Sequence, residues 1–379
     1  MPSLSIIIPV FNGVRYLPYF LESLAKAILP HAQIIFVDDA SSEPVFDIIP
    51  DELAGVSVIK LGNERNLGYS ATVNRGFSCA GGDILIQLNT DLVLDPNCIA
   101  TMVEVIERSP NVGIVGSKQL SPTTGVIKSF GMAFGQRNYY HVFWGMPANH
   151  PLCAETRIVQ LVNGATAAMT KKVLDDIGPL DERYYNTHEN ADHCLKAHSR
   201  GYTNYVCAES VVHHWVSQSG PARFAKVEED DALFWSEWYA RRTIDLGRFV
   251  DEALGFLLTR YPQLTGFPFE PLSLCRGYDE SILLDRLERH WPGAAAKVRR
   301  SGIFNSSSRK LWLPMELPHW VMAAPSPFIY LVDRIGDLSE NRLWFEARHR
   351  LVEFEIIMDT NATVLTSDQF LGLIGAPLA

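Results

Sequence analysis

Over residues 3–120 short apolar runs alternate with stretches of helical period, the sequence form of a parallel sheet covered by helices. The runs are Leu4–Val10, Gln33–Val37, Val56–Leu61, Asp83–Leu88 and Val112–Val115. Between the first two, Leu17, Phe20, Leu21, Leu24 and Ile28 recur at helical spacing, and Pro18 is tolerated because it falls in a first turn. The pattern predicts an α/β sandwich. Ligands of such open sheets bind at the carboxyl ends of the strands. Polar residues collect there: Pro9–Asn12 after the first run, Asp38-Asp39-Ala40-Ser41 after the second, Asn89-Thr90-Asp91 after the fourth.

Residues 121–160 are rich in Gly, Ser and aromatics without clear period, and read as loops and irregular strands. The character changes from about Phe224, where a helix over Glu228–Phe249 is followed by Pro- and Trp-bearing segments. We place a domain boundary near 220, giving a 1–220 domain and a 221–379 extension read as mainly helical, an acceptor or oligomerisation region. The run Glu228-Glu229-Asp230-Asp231 reads as a solvated helix start, favoured by the helix dipole. Phe234, Trp235, Trp238 and Tyr239 read as core before they read as a sugar platform.

With 379 residues, 47% of them hydrophobic, the chain can bury a substantial core, which argues against disorder. A net charge of -10 disfavours nucleic acid as partner, because that affinity comes largely from Lys and Arg neutralising phosphates. Six cysteines without CxxC or paired spacing indicate buried thiols instead of a zinc ribbon or a disulfide framework. The start Met1-Pro2-Ser3-Leu4-Ser5-Ile6 enters an apolar strand with no basic leader, and no run of about 18 apolar residues occurs. A cytoplasmic location is expected, with any membrane contact peripheral at the inner face.

Asp38 and Asp39, closing a buried strand, suit hydrogen bonds from a ribose or a pyrimidine and read equally as a solvated strand-end turn. The loop after the first strand, Pro9-Val10-Phe11-Asn12-Gly13, is not G-x-G-x-x-G, and no Walker A motif occurs. A diphosphate would then need a cation to balance its charge. Asp91, where Ile84–Leu88 runs out, can hold Mg²⁺ or Mn²⁺, with His213 or His214 as second ligand. Thr187-His188-Glu189-Asn190-Ala191-Asp192 opens a helix that Gly201 ends. Glu189 and Asp192 read equally as helix-start acids or as a general base for an acceptor hydroxyl.

Together these stretches resemble glycosyltransferase family 2. The resemblance is carried by Ser5–Asn12, Phe36–Ser42, Asn63–Tyr69, Asn74-Arg75-Gly76, Asn89-Thr90-Asp91, Asn163-Gly164-Ala165, Gly178–Tyr185 and Glu189–Lys196, in order over about residues 3–216. It implies a GT-A fold, a Rossmann-like mixed sheet flanked by helices, and an inverting, metal-dependent transfer of sugar from a nucleotide-sugar, UDP- or dTDP-linked. Acceptors of that class are saccharides, lipid-linked saccharides or proteins in surface polysaccharide or glycoconjugate synthesis; a homo-oligomer is compatible. By the same resemblance Asp38, with Asp39 beside it, lies in the nucleotide site and Pro9 and Asn12 line it. Asn66, Gly68 and Asn74 belong to the loop over base and ribose. Asn89-Thr90-Asp91 matches the family's DXD-type motif with Asn89 at its first position, leaving Asp91 as the metal carboxylate, and His213 matches the metal-proximal histidine.

One position departs. The family's base stands second in Glu-Asp-x-Asp, and that position is Asn190, whose amide cannot take up a proton near neutral pH. Glu189 is the expected replacement, with Asp192 as orienter and His188 as third candidate. A catalytically silent nucleotide-sugar or glycan-binding subunit is the alternative.

Overall fold

Leu4–Val10 (β1) is buried at all seven positions, so it has no solvent face and no polar alternation. In the computed structural model, which describes residues 2–108, 110–215, 225–275, 279–300, 317, 321, 324–352 and 354–375, β1 pairs in parallel with Gln33–Asp38 (β2) and with Ile84–Leu88 (β5). Glu52–Leu53 (β3) and Val56–Gly62 (β4) extend the sheet beyond β2. On the other side follow Thr166–Thr170 (β12), Val112–Leu120 (β7), Thr203–His214 (β13) and Arg157–Ile158 (β11). Leu92–Leu94 (β6) adds to β13 and Ile127–Ser129 (β8) to β7, completing eleven strands. β12 runs antiparallel to both β5 and β7, so the sheet is mixed.

Helices Leu17–Ala27 (α1) and Cys98–Glu107 (α4) bury Leu17, Phe20, Leu24, Ile99 and Met102 against Ile6, Ile8, Ile34, Phe36 and Ile86, the inward-facing residues of one sheet surface. Tyr69–Cys79 (α3) packs on β1 and β2, and Glu189–Ser199 (α6) on β7 and β13. Register sets Val10 beside Asp38 and Ile7 beside Gln87, which brings the ends of β1, β2 and β5 together at one edge.

Two compact units make up the chain: Met1–Met132 with Cys153–Arg242, and Ala133–Leu152 with Thr243–Ala379. The expected boundary near 220 lies outside the described residues, and the first unit runs on to Arg242. The single helix expected over Glu228–Phe249 is two, Val227–Trp238 (α7) in the first unit and Leu246–Arg260 (α8) in the second. Between them lie the β-branched Thr243 and Ile244, poor helix formers, and Asp245, whose carboxylate takes the Phe134 N–H at 2.9 Å.

The second unit holds the expected helices, and with them a sheet that was not expected. Glu270–Ser273 (β14), Phe328–Val332 (β16) and Ile356–Asp359 (β17) run parallel, edged by Arg299–Arg300 and by the antiparallel Val364–Thr366. Phe328–Val332 and Ile356–Asp359 are short, largely apolar runs, which periodicity cannot separate from pieces of buried helix. The stretch 133–152, expected as loop and irregular strand, belongs here. Phe143 N donates to Asn361 O at 2.7 Å, Thr363 Oγ1 to Trp144 O at 2.8 Å, and the Tyr140 hydroxyl to Asp279 at 2.5 Å.

Four of the six cysteines are buried thiols, Cys79 is exposed and Cys275 half-buried. Burial pushes the Cys98 thiol up to about 11. Among the described residues no helix is long and apolar enough to cross a membrane.

Candidate active site

At the end of β1, Asn12 takes the left-handed backbone (φ 56°), which Asn tolerates because its side chain can bond locally. Its Oδ1 accepts from Ser42 N at 2.9 Å and its own N–H donates to Ser41 Oγ at 2.7 Å. Asp38, the last residue of β2, accepts from Ser41 N at 3.1 Å and Ser41 Oγ at 2.5 Å. Asp38 and Asn12 thus share one loop, with Pro9 buried in the strand behind them. Asp39 plays a different part. It is 4% exposed, and its carboxylate accepts from Asn63 Nδ2 at 2.8 Å, Leu67 N at 2.8 Å and Gly68 N at 3.0 Å. A buried carboxylate needs such donors, and here they shape the loop that carries Asn66 and Gly68.

Gly68 has φ 89°, and a Cβ there would meet the Tyr185 ring and carbonyl at 2.9 Å, so only glycine fits. Asn66 Oδ1 accepts from the Tyr185 hydroxyl at 3.0 Å, while Asn74 exchanges bonds with Leu180 (Nδ2 to O 2.8 Å, N to Oδ1 2.9 Å). Asn74 therefore ties α3 to the segment leading to α6.

Past β5, Asn89 Oδ1 accepts from the Tyr69 hydroxyl at 2.8 Å, and that hydroxyl accepts from Gln87 Nε2 at 2.8 Å. Gln87 Nε2 also reaches Asn190 Oδ1 at 3.2 Å, and Asn190 Nδ2 donates to Glu189 Oε1 at 2.9 Å. A polar chain thus runs from the Asn89 motif to the acidic start of α6. A Cβ at Gly164 would overlap the Asn190 amide, which explains a glycine at the chain's closest approach.

Asp91 meets His214, with Nε2 3.3 Å from Oδ1. The expected partner was His213. Side chains alternate along a strand, and on β13 the buried parity belongs to Val212 and His214, so His213 faces the other way. His214 Nδ1 lies 2.9 Å from Gln119 Oε1, an acceptor, which places the ring proton on Nδ1 and leaves Nε2 toward Asp91. One carboxylate oxygen and one imidazole nitrogen at that separation can share a divalent cation, whose bonds to such ligands run about 2.0–2.2 Å. The donor set fits Mn²⁺ better than Mg²⁺ because of the nitrogen. Among the described residues no group of three or more His, Cys, Asp or Glu side chains converges for a metal, so a full shell needs ligands from elsewhere.

On α6, Glu189 is 8% and Asp192 0% exposed. Asp192 accepts from Trp238 Nε1 at 2.9 Å and pairs with Lys196 Nζ at 2.7 Å. Burial raises its pKa, and Lys196 and Trp238 oppose that rise. Asp192 therefore anchors α6 to α7. His188 has φ 68°, stacks on Phe234 at 4.5 Å and sets Nε2 2.5 Å from Asp231 Oδ1. The residues whose parts went unread are Tyr69, Gln87, Gln119, Asp230 and Trp238. Of these only Trp238 carried a signal, its spacing of four from Phe234 along α7. Asp230, 2% exposed, is the exception in an acidic run whose Glu228, Glu229 and Asp231 are exposed as expected; Phe234 and Trp238 are core as expected, whereas Tyr239 is exposed.

The mixed sheet with helices on both faces is the flanked α/β arrangement expected. Residues 5–177 match the family model described as Glycosyl transferase family 2. It is similar to the O-antigen biosynthesis protein RfbC of Myxococcus xanthus, 27% identical over 64% of this chain and 19% of that protein. It is also similar to an undecaprenyl-phosphate 4-deoxy-4-formamido-L-arabinose transferase of Serratia proteamaculans, 34% identical over 28% of this chain and 35% of that one. The chain thus spans a fifth to about a third of the length of these relatives. Among solved structures, GalNAc-T7 with UDP, GalNAc and Mn²⁺ aligns at 16% identity and a TM-score of 0.49, over 69% of this chain and 58% of that one, too distant to bear on function.

Proposed function

We propose that this chain is an inverting glycosyltransferase that moves a sugar from a UDP- or dTDP-linked donor to a hydroxyl acceptor, in the synthesis of a surface polysaccharide or glycoconjugate. The observation that carries the reading is the Asp91–His214 pair at the strand-end edge, linked through Asn89, Tyr69, Gln87 and Asn190 to Glu189. That chain joins a donor end to an acceptor end. The O-antigen and undecaprenyl-phosphate transferase relatives support the polysaccharide setting.

On this reading Asp38 and Asn12 bind nucleoside, and the Asn66–Gly68 loop, held by Asp39, closes over it. Asp91 and His214 would hold Mn²⁺ or Mg²⁺, which supplies charge neutralisation for the diphosphate as it departs. Glu189 takes the proton of the acceptor hydroxyl. The acceptor oxygen bonds to the anomeric carbon from the face opposite the phosphate, the bond from carbon to phosphate oxygen breaks, and the anomeric configuration inverts. Asn190 is the orienter in place of a base: with Oδ1 held by Gln87, its NH₂ points at Glu189. Acting beside the membrane on a lipid-linked saccharide suits the relatives, with the chain itself peripheral there.

The test is a panel of UDP-, dTDP- and GDP-sugars with Mn²⁺ or Mg²⁺, assayed for nucleoside diphosphate release. Metal-dependent release from one donor class is expected. Tight nucleotide binding with no release from any donor would replace this reading with a silent binding subunit.

A further inference from the structure

Asp230, Asp231, Phe234, Glu237 and Trp238 stand at i, i+1, i+4, i+7 and i+8 of α7, one face of a helix. All five grip the segment Arg183–Asp192. Glu237 Oε1 accepts from Arg183 at 2.7 Å, Asp231 and Phe234 hold the His188 ring, and Trp238 holds Asp192. At the centre, the buried Asp230 carboxylate accepts from the successive N–H groups of Tyr185 (3.1 Å), Asn186 (3.2 Å) and Thr187 (3.1 Å), and from Thr187 Oγ1 (2.8 Å). Three consecutive backbone donors around one anion fix the loop's dihedrals. The left-handed His188 that follows is a costly conformation, which persists only where the surroundings hold it.

The same loop touches the donor side. Tyr185 O accepts from Tyr69 N at 3.0 Å and Tyr184 O from Ser70 Oγ at 2.9 Å. Yet the donor loop has its own anchor on Asp39, independent of α7. The start of α6 depends on the 185–188 backbone for its placement.

We propose that Asp230 is a positioning residue for the transfer: its carboxylate sets the backbone of 185–187 and through it the placement of Glu189. The inference rests on Glu189 as the base. An error of about 1 Å at a reacting group can cost on the order of a hundredfold in rate. Asp230→Asn leaves one acceptor oxygen and turns an NH₂ toward backbone donors, so the loop should shift without loss of volume.

The experiment uses the full chain and the donor of the panel that releases nucleoside diphosphate fastest. It measures kcat and KM for release, UDP affinity with Mn²⁺ by calorimetry, and the thermal melt. Asp230→Asn is expected to lower kcat by about 10- to 100-fold with UDP affinity within about threefold of wild type; Thr187→Ala, which removes one bond of four, should lower it by less. A kcat within twofold of wild type overturns the proposal, as does a parallel fall of affinity and melting temperature with kcat per folded molecule unchanged. If Asp230→Asn does not fold, Thr187→Ala decides on the same readouts. Glu189→Gln separates the two readings: if it stays active, the base assignment itself fails, whatever Asp230 does.

Discussion

The Asn190 amide donates to Glu189, Nδ2 to Oε1 at 2.9 Å, while its Oδ1 faces the Gln87 amide at 3.2 Å. An aspartate at 190 could still accept from Gln87, but its second oxygen would confront the Glu189 carboxylate. Like charges that close raise the pKa of one partner. Asn190→Asp is therefore expected to move the acidic limb of the kcat/KM profile to higher pH, and Glu189→Gln to lower kcat about 10²- to 10³-fold with UDP binding retained. A pH–rate series on both variants checks this; an unmoved limb would remove Glu189 from the role.

Gly68→Ala forces a side chain into a backbone of φ 89° and onto the Tyr185 ring and carbonyl. The cost is about 1–3 kcal/mol, felt in the loop that Asp39 organises. UDP affinity should fall by at least about tenfold while the fold persists, as calorimetry and circular dichroism would record. Unchanged affinity would separate this loop from the nucleotide.

Much of the first unit was legible in the sequence because its strands are continuous apolar runs ending in polar clusters, and burial on both sheet faces demands that pattern. The side of β13 that reaches Asp91 was not legible. Parity along a strand decides between His213 and His214, and β13 shifts register between Cys207 and Val211. Asp230 looked like an ordinary helix-start acid, since one acid in a run of four gives no sign of which faces inward. The second unit stayed hidden because its strands are two to five residues long and one of its pieces, 133–152, comes from the middle of the chain.

His193 is 1% exposed, bonded to Gly178 O at 2.9 Å, and burial lowers its pKa to about 4. Between about pH 6.5 and 4 the unfolded chain binds a proton that the folded chain refuses, so stability falls as pH falls through that window. The contribution is about 3 kcal/mol, fully present above pH 6.5. Urea unfolding at pH 7 and 4.5 should show the loss, reduced in His193→Gln. A slope equal in both proteins would exclude His193 as its source.

In the second unit Arg348, 0% exposed, pairs with Glu355, 1% exposed, at 2.9 Å. Arg348→Met keeps the volume and strands the carboxylate, which should cost about 3–5 kcal/mol at neutral pH. The double variant Arg348→Met, Glu355→Gln should recover part of it. Denaturant midpoints measure both; a single variant as stable as wild type would mean Glu355 is neutral as it stands.

The central claim is that Asp91 and His214 hold the cation that neutralises a diphosphate, and calorimetric titration of UDP with Mn²⁺ and with EDTA tests it most directly. Wild type should bind at least about tenfold tighter with Mn²⁺. Asp91→Asn and His214→Ala should lose that difference and His213→Ala keep it. Equal affinity in Mn²⁺ and EDTA, or an Asp91→Asn protein indistinguishable from wild type, would contradict the account.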